Sequence, residues 1–529
     1  MQFFFTKKAN PSSIPTYRAT TVAPQEPPVT DTLSPEPLLP QPTLPIWVLN
    51  QDIYKKGSQA ISRGGEGEIW QTNRPEYLLK IYHESTPERV KKLESMVVSH
   101  PSKPEVYRHH LPWAWPEYLL EDQQGERIGF VMPFIRKSQK LPEVYIPKSR
   151  KILNFESEWQ VNWKFLHITA KNLAHLIYSL HDQGYVIGDL KPENIVVNQD
   201  ALPSIIDTDS FQVTNPQTKS IYPCLVGSEG FTPPELLEKN LADIEQLPQQ
   251  DDFRLAVIIH HLLLERHPFT GYLQDSEEPP ETDELVRQGL WHYAAEGPEK
   301  MEQPGKRFIP LEIVHPQLQK LFLQCFNDGH CNPQARPTAL EWLNALDLAI
   351  NDLAHCDQFN THWYSKHYHK CYWCERKEKL TLDIFDNSPQ YQQLYKLLAA
   401  QNWKQADLET KYLLLKIAGR INEGWLDKPA LENLPTEVIE IIDQLWLNHS
   451  AEHFGFSTQK RIYLETGNKL GEINWEAYND FGTVVGWREG KIWKNYLDLE
   501  FSLNAPEGHL PFCCAGFDVC VVAFLALRL

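Results

Sequence analysis

Between Val186 and Val197 the chain reads VIGDLKPENIVV, and its side chains are of the types that a phosphoryl transfer uses. In such a reaction the protein clamps phosphates, holds metal and orients the acceptor hydroxyl. Asp189 would orient or accept the acceptor's proton, and Lys191 would steady the group in transfer. Asn194 and Asp207 would hold magnesium through oxygen atoms. Upstream, ISRGGEGEIW supplies Gly64, Gly65 and Gly67, whose bare backbone lets N–H groups approach phosphates between two strands. Lys80 can neutralise those phosphates, and a glutamate on the next helix should tether it. Glu94 in ERVKKLESMV is the first candidate for that tether and Glu88 the second.

A second constellation lies downstream, in HCDQFNTHWYSKHYHKCYWCER. Cys371 and Cys374 form a C-x-x-C knuckle, and Cys356 with His362 stands ahead of it. Tetrahedral zinc takes four sulfur and nitrogen ligands, commonly as two close pairs. The predicted set is Cys356, His362, Cys371 and Cys374, with His367 and His369 competing for the imidazole position. Four protein ligands leave no place for a reactive water, so the expected role is structural: a clip that stiffens a linker. The rival reading is a packed linker of aromatic and histidine residues.

These residues need elements to position them. Alternating apolar positions in EIWQTNRPEYLLKIY predict a hairpin whose second strand carries Lys80. Leu166, Ala170, Leu173, Leu176, Ile177 and Leu180 recur at helical spacing and predict a helix leading to the Asp189 loop. LPSIIDTDSFQV reads as a short strand ending in acid, and DDFRLAVIIHHLLLERHPF as a helix buried nearly all round. The expected plan is two lobes, sheet first and helices second. At 529 residues and 61.4 kDa the chain exceeds one ordinary core. A net charge of -18, from 69 acidic and 51 basic residues, excludes a general nucleic-acid or anionic-membrane binder. Nine cysteines are too few for a disulfide scaffold, so a reducing, cytoplasmic setting is expected. Residues 1–45 read as a disordered Pro-rich tail, and their opening apolar patch followed by lysines reverses the order of a secretory signal. At the other end, FCCAGFDVCVVAFLALRL is nearly long enough to span a membrane but contains Asp518; a buried terminal segment is favoured over an anchor.

From about Ile46 to Ile350 the chain resembles the eukaryotic-type serine/threonine protein kinases. DLKPEN, the IID ending on Asp207, GFTPPEL, DDFRLAV and CFNDGHCNPQARPTALEWL match in order. The resemblance implies ATP and Mg2+ as ligands and a protein substrate bearing Ser or Thr. It also places Met132 with Gly64, Gly65, Gly67, Lys80, Glu94 and Asp207 in the nucleotide-binding set, pairs Glu235 with Arg336, and makes Asp251 the brace beneath the catalytic loop. Several positions depart from the family pattern. Ser62 and Glu66 alter the glycine loop, Ile187 and Gly188 replace the usual His and Arg, and Thr208 and Asp209 replace the usual Phe and Gly. The extra acid, Asp209, would repel or recruit a further cation. These departures motivate a rival reading, a pseudokinase that binds nucleotide without transferring phosphate. Retention of Lys80, Asp189, Lys191, Asn194 and Asp207 together favours the active enzyme.

Beyond about Pro389 the composition turns to Trp-bearing amphipathic helices. Tyr391, Leu394, Tyr395 and Leu398 share a face, and Pro435 with Thr436 marks a helix start. Glycines, aromatics and arginines then alternate in AEHFGFSTQKRIYLETGN, WEAYNDFGTVVGWREGKIW and APEGHLPF, which read as loops. Flat aromatics beside cations suit a large planar anion with carboxylate tails; the bland alternative pins them in a core. NWKQADLET, IDQLW, FGFSTQKRIY, VGWR and GHLP together resemble the genomes-uncoupled-four family, tetrapyrrole-binding regulators of magnesium chelatase in oxygenic photosynthetic organisms. The likeness covers about Ser388 to Phe512. It implies a helical domain that cups a porphyrin, protoporphyrin IX or its magnesium form, without transforming it. Carried over, the porphyrin-binding set is Phe454, Phe456, Ser457, Gln459, Trp487 and Arg488, with Trp475 and Phe481 as further walls and Arg488 or Arg461 meeting a propionate. A rival assigns this domain to protein docking instead. The expected whole is α+β: a bilobal kinase-like fold over 46–350, a zinc-binding linker over 353–380, a mostly α-helical tetrapyrrole-binding domain over 385–512 and an apolar tail over 513–529. Porphyrin occupancy is expected to bias kinase output.

Overall fold

In the N-terminal part, strand alternation decides which way Lys80 points. The structure, a computed structural model, describes residues 45–49, 60–156, 159–274, 278–302, 308–387, 389–432, 434–469 and 474–512. Strands β1 (Ile46–Val48), β2 (Ser62–Arg63), β3 (Gly67–Gln71), β4 (Tyr77–Tyr82), β5 (Tyr118–Glu121) and β6 (Arg127–Pro133) form a six-stranded sheet in the order β1-β5-β6-β4-β3-β2. On β4, Lys80 lies opposite Ile69 of β3 and Phe130 of β6. Successive side chains face opposite ways, so Leu79 joins Trp47, Trp70, Leu120 and Val131 on the outer face while Lys80 turns inward. Helix α1 (Pro87–Val98) covers the inner face with Leu93, Met96 and Val97; Thr86 caps it by accepting from the Arg89 amide.

The helical lobe is built around α2 (Trp163–Asp182), whose N-terminal donors are met by the Asn162 side chain. The six apolar residues read from its spacing are all fully buried, and the leucines and isoleucine among them are each worth about 1.5–3 kcal/mol relative to exposure. It packs on α3 (Pro248–Leu264) and α4 (Ala339–Asp352). A three-stranded sheet joins a strand ahead of α2, β7 (Ser138–Lys140), to two that follow it, β8 (Ile195–Asn198) and β9 (Pro203–Ile205). Register places Ile195 opposite Ile205. Asn194, just before β8, and Asp207, just after β9, are therefore brought side by side, and the Ile206 amide donates to the Asn194 carbonyl at 2.8 Å. The hairpin is the device that assembles the two expected magnesium ligands.

After α4 a small antiparallel hairpin, Leu353–His355 with Trp363–Ser365, leads into α5 (Tyr372–Asn387). A second hydrophobic core, separate from the first, then runs from Tyr391 to Phe512. Its helices include α6 (Trp403–Ile417), α7 (Thr436–His449), α8 (Phe456–Glu465) and α9 (Trp475–Val484), followed by the short hairpin Arg488–Glu489 with Ile492–Trp493. Helix α7 begins at Thr436, behind Pro435. The loop reading of FGFSTQKRIY and WEAYNDFGTV is corrected: both are helices, because the helix-compatible runs follow breakers, Gly455 at φ 136° and the Asn474 cap. Among the described residues no helix is long and apolar enough to cross a membrane. The expectations for 1–44 and for the 513–529 tail fall outside the described residues.

Candidate functional site

The backbone of the Val186–Val197 loop is held from below by one carboxylate. Asp251 accepts from the Ile187 amide at 2.7 Å and the Gly188 amide at 3.0 Å, and it also meets His181 and Arg254 at 3.2 Å. Burial alone would raise its carboxyl, but the bond from His181, the Arg254 charge and the Ile187 amide hold it below the usual carboxylate value. This geometry accounts for the unusual dipeptide. Ile187 fills the core, and Gly188 sits at φ 77°, where an added Cβ would lie 2.4 Å from that of Cys224.

Above that brace, Asp189 is almost fully buried and its carboxylate is surrounded by donors. Ser228 Oγ donates to Oδ1 at 2.7 Å, Lys191 Nζ lies 2.8 Å from Oδ2, and Asn194 Nδ2 donates to Oδ2 at 3.2 Å. Lys191 also donates to Ser228 Oγ at 2.9 Å, closing a ring. Ser228 escaped the sequence reading; the signal available was a hydroxyl a few residues ahead of GFTPPEL. Farther out, Arg336 grips both oxygens of Glu235 at 2.7 Å, as the resemblance implied.

Lys80 Nζ lies 2.6 Å from Asp207 Oδ1 and 2.8 Å from each oxygen of Asp209. Burial alone would lower the Lys80 ammonium, but the charges of Asp209 and Asp207 hold it well above the usual lysine value. The tether expected from α1 is corrected. Glu94 pairs with Arg127 of β6, and Glu88 is exposed in the first turn. Leu93, Met96 and Val97 fix the buried face of α1, and Glu94 beside them is taken up by Arg127. The α1 side chain that burial does perturb is Lys92, whose ammonium is pushed down to about 8.

Of the three loop glycines, Gly64 closes a turn by donating to the Gly67 carbonyl at 2.9 Å, and Gly65 has open space around it. At Gly67 an added Cβ would lie 2.4 Å from the Ile81 carbonyl oxygen, so strand packing demands that glycine whatever the ligand. Met132 is buried in the core beneath the sheet, paired with Leu78.

The four residues chosen for zinc come together. The ligand atoms of Cys356, His362, Cys371 and Cys374 all lie within 4.8 Å of one another. Cys356 Sγ is 3.5 Å from Cys374 Sγ, and His362 Nδ1 is 3.5 Å from Cys374 Sγ and 3.7 Å from Cys371 Sγ. A tetrahedron with zinc–sulfur bonds of about 2.3 Å has edges of about 3.8 Å, so spacing and donor chemistry both fit. His367 turns instead toward Asp352 and His315, and His369 falls outside the group.

Most of the predicted porphyrin wall is core. Phe454, Phe456, Ser457, Gln459, Phe481 and Trp487 are all buried. Gln459 donates to the Gly508 and Pro511 carbonyls, Ser457 to Asp443, and Trp487 Nε1 to the His509 carbonyl. In this structure these aromatic faces are packed against protein. Arg461 is paired with Glu465 and Glu507. Arg488 is half-buried, and among the described residues its Nε has no hydrogen-bond partner. Exposed apolar side chains lie on α9, on the following hairpin, where Arg488 is paired with Trp493, and on the Tyr496–Asp498 turn. Trp475 is 65% exposed, Ile492 75% and Leu497 82%. Trp493 stacks on Tyr478 with centroids 5.2 Å apart, and Gly482 makes room for its ring. Of these, only Trp475 was singled out from the sequence.

Family comparison assigns residues 145–346 to the protein kinase domain and residues 385–524 to the GUN4-like family. This chain joins a protein kinase domain to a GUN4-like domain. Protein kinase YegI of Escherichia coli O157:H7 is 31% identical over 320 residues, covering 59% of this chain and 48% of that protein. The chloroplastic tetrapyrrole-binding protein of Arabidopsis thaliana is 30% identical over 120 residues, covering 22% of this chain and 44% of that protein. The ligand-free structure of Arabidopsis thaliana GUN4 is 26% identical, covers 26% of this chain and 91% of its own, and has a TM-score of 0.22. The chain spans about half the length of the curated relatives it matches. Within the protein kinase domain lie Asp189, Lys191, Asn194 and Asp207; the GUN4-like domain holds α6 to α9 and the exposed aromatic surface.

Proposed function

We propose that the chain is an ATP-dependent serine/threonine protein kinase whose GUN4-like domain binds a tetrapyrrole that regulates it. The observation that carries the kinase reading is the ring of Asp189, Lys191 and Ser228 beside Asn194 and Asp207. In this mechanism Lys80 and the Gly64–Gly67 turn receive the nucleotide phosphates. Asn194 and Asp207 hold magnesium; the Asp207 side chain is 39% exposed toward solvent, and both offer the oxygen donors that ion takes. Bound there, magnesium supplies charge neutralisation on the phosphates. Asp189 orients the acceptor hydroxyl and takes its proton, while Lys191 faces the charge that develops on the transferred group. The rival, nucleotide binding without transfer, is separated by experiment. Label from ATP should appear on Ser or Thr of the protein itself or of a generic acceptor, and Asp189→Asn should lower the rate at least about 100-fold. Equal label in both proteins would remove Asp189 from the chemistry.

For the tetrapyrrole, the supporting features are the GUN4-like match, the exposed Trp475 and Trp493 with the half-buried Tyr478 between them, and the Arg488 Nε, which has no hydrogen-bond partner among the described residues. Aromatic faces would stack on the macrocycle and Arg488 would meet a propionate. The Cys356, His362, Cys371 and Cys374 group holds a structural zinc in this reading.

A further inference from the structure

Lys80 enters the cleft from β4, and its carboxylate partners both come from one short turn after β9. Asp209 spans Nζ with its two oxygens, each at 2.8 Å, and Tyr82 Oη donates to Oδ2 at 2.8 Å. Asp209 is 8% exposed, so its charge is removed from water and its partners are fixed. Helix α1 contributes no acid. Glu94 is engaged by Arg127, and the α1 residue turned to the interior is a cation, Lys92, whose Nζ lies 3.4 Å from the Pro223 carbonyl. The helix is tied instead to the segment following Asp209, through Asn215 Nδ2 donating to Ser95 Oγ at 2.7 Å.

We propose that Asp209 is a positioning residue: it holds Lys80 through two oxygens where Asp207 uses one, sets the ammonium for the nucleotide phosphates and so lets Asp207 exchange its single contact for a divalent cation. The inference rests on the nucleotide-binding reading of the cleft. A buried ammonium does not stay unpaired. Without Asp209, Lys80 would keep Asp207 as its carboxylate partner, already at 2.6 Å, and would compete with magnesium for it. Because Asp207 caps the Thr208–Ser210 turn that carries Asp209, the lysine clamp and the metal-holding carboxylate move together and do not wait on α1.

The test is calorimetric binding of ADP and of adenosine to the full chain, in EDTA and across a magnesium titration. Asp209→Asn should weaken ADP binding about tenfold or more at limiting magnesium, the scale expected when a buried hydrogen-bonded charge loses its partner. It should raise the magnesium needed for half-maximal ADP binding and leave adenosine affinity at the parental value, since adenosine lacks the phosphates Lys80 meets. Tyr82→Phe, which removes one bond to Asp209 and no charge, should shift the magnesium requirement in the same direction by less. Parental ADP affinity and magnesium dependence in Asp209→Asn would overturn the proposal. So would adenosine binding lost together with ADP while Tyr82→Phe stays parental, or the ADP defect appearing in Glu94→Gln and not in Asp209→Asn. A parental chain that binds neither ligand overturns the nucleotide reading itself.

Discussion

Asp251 and Asp252 are adjacent on α3 and titrate in opposite senses. Asp251 is met by two amides, the Arg254 guanidinium and the His181 ring. Asp252, equally buried, has the Ala339 amide at 3.0 Å, and burial pushes its carboxyl up to about 7. Between the ordinary carboxylate value and about 7, the folded chain holds a proton there that the unfolded chain releases, so this group lowers stability as pH rises through that window. Asp252→Asn, whose amide oxygen can still accept from Ala339, should melt higher than the parent at pH 8, by a gain on the order of 1–3 kcal/mol, and show no advantage near pH 4. A constant difference across that range would contradict the assignment. At this scale residue types were legible and partners only partly so. Lys80, Asp189, Asn194 and Asp207 converge as their spacing implied. The partner of Lys80 was not readable, because choosing Glu94, Glu88 or Asp209 depends on which face of α1 the core consumes. Gly188 likewise looked like a lost arginine until Cys224 was seen against it.

Elements rather than single residues deliver the sites. The β8–β9 register sets Asn194 beside Asp207, and the hairpin before α5 sets Cys356 and His362 over the Cys371–Cys374 knuckle. Sulfur spacing had identified that ligand set, since C-x-x-C fixes one pair and leaves few candidates for the other. With zinc as its ion, the purified chain should carry about one zinc per molecule by elemental analysis, and Cys371→Ser should lose most of it and melt lower. Full zinc content in that variant would remove Cys371 from the ligand set. Pattern failed where α8 and α9 were read as loops. Aromatics and glycines there mark tight packing, as Gly482 under the Trp493 ring shows. Burial, which a sequence does not display, is what moves Phe454, Phe456 and Trp487 from the predicted binding wall into the core.

Across the whole molecule, neighbouring residues of α5 reach both modules. Arg376 lies 3.5 Å from Glu265, which also pairs with Arg150 at 2.6 Å, and Lys377 lies 3.3 Å from Glu452 ahead of α8. A cavity of about 540 Å³ is lined by Arg150 and Trp163 of the kinase domain, by His362 and Trp373 of the metal segment, and by Arg461 of α8. A shift of α8 and α9 on ligand binding would therefore be felt at Glu265, at the end of α3, the helix whose other end carries Asp251. Coupling of this kind requires that the tetrapyrrole distinguish two arrangements of that joint. The most direct measurement is the rate of label transfer from ATP by the full chain with and without protoporphyrin IX, beside Asp189→Asn and Trp493→Ala. The account predicts a rate that depends on Asp189, changes with porphyrin, and loses that response in Trp493→Ala. Folded, ATP-binding protein that transfers nothing, or transfers at one rate whatever the porphyrin, would contradict it.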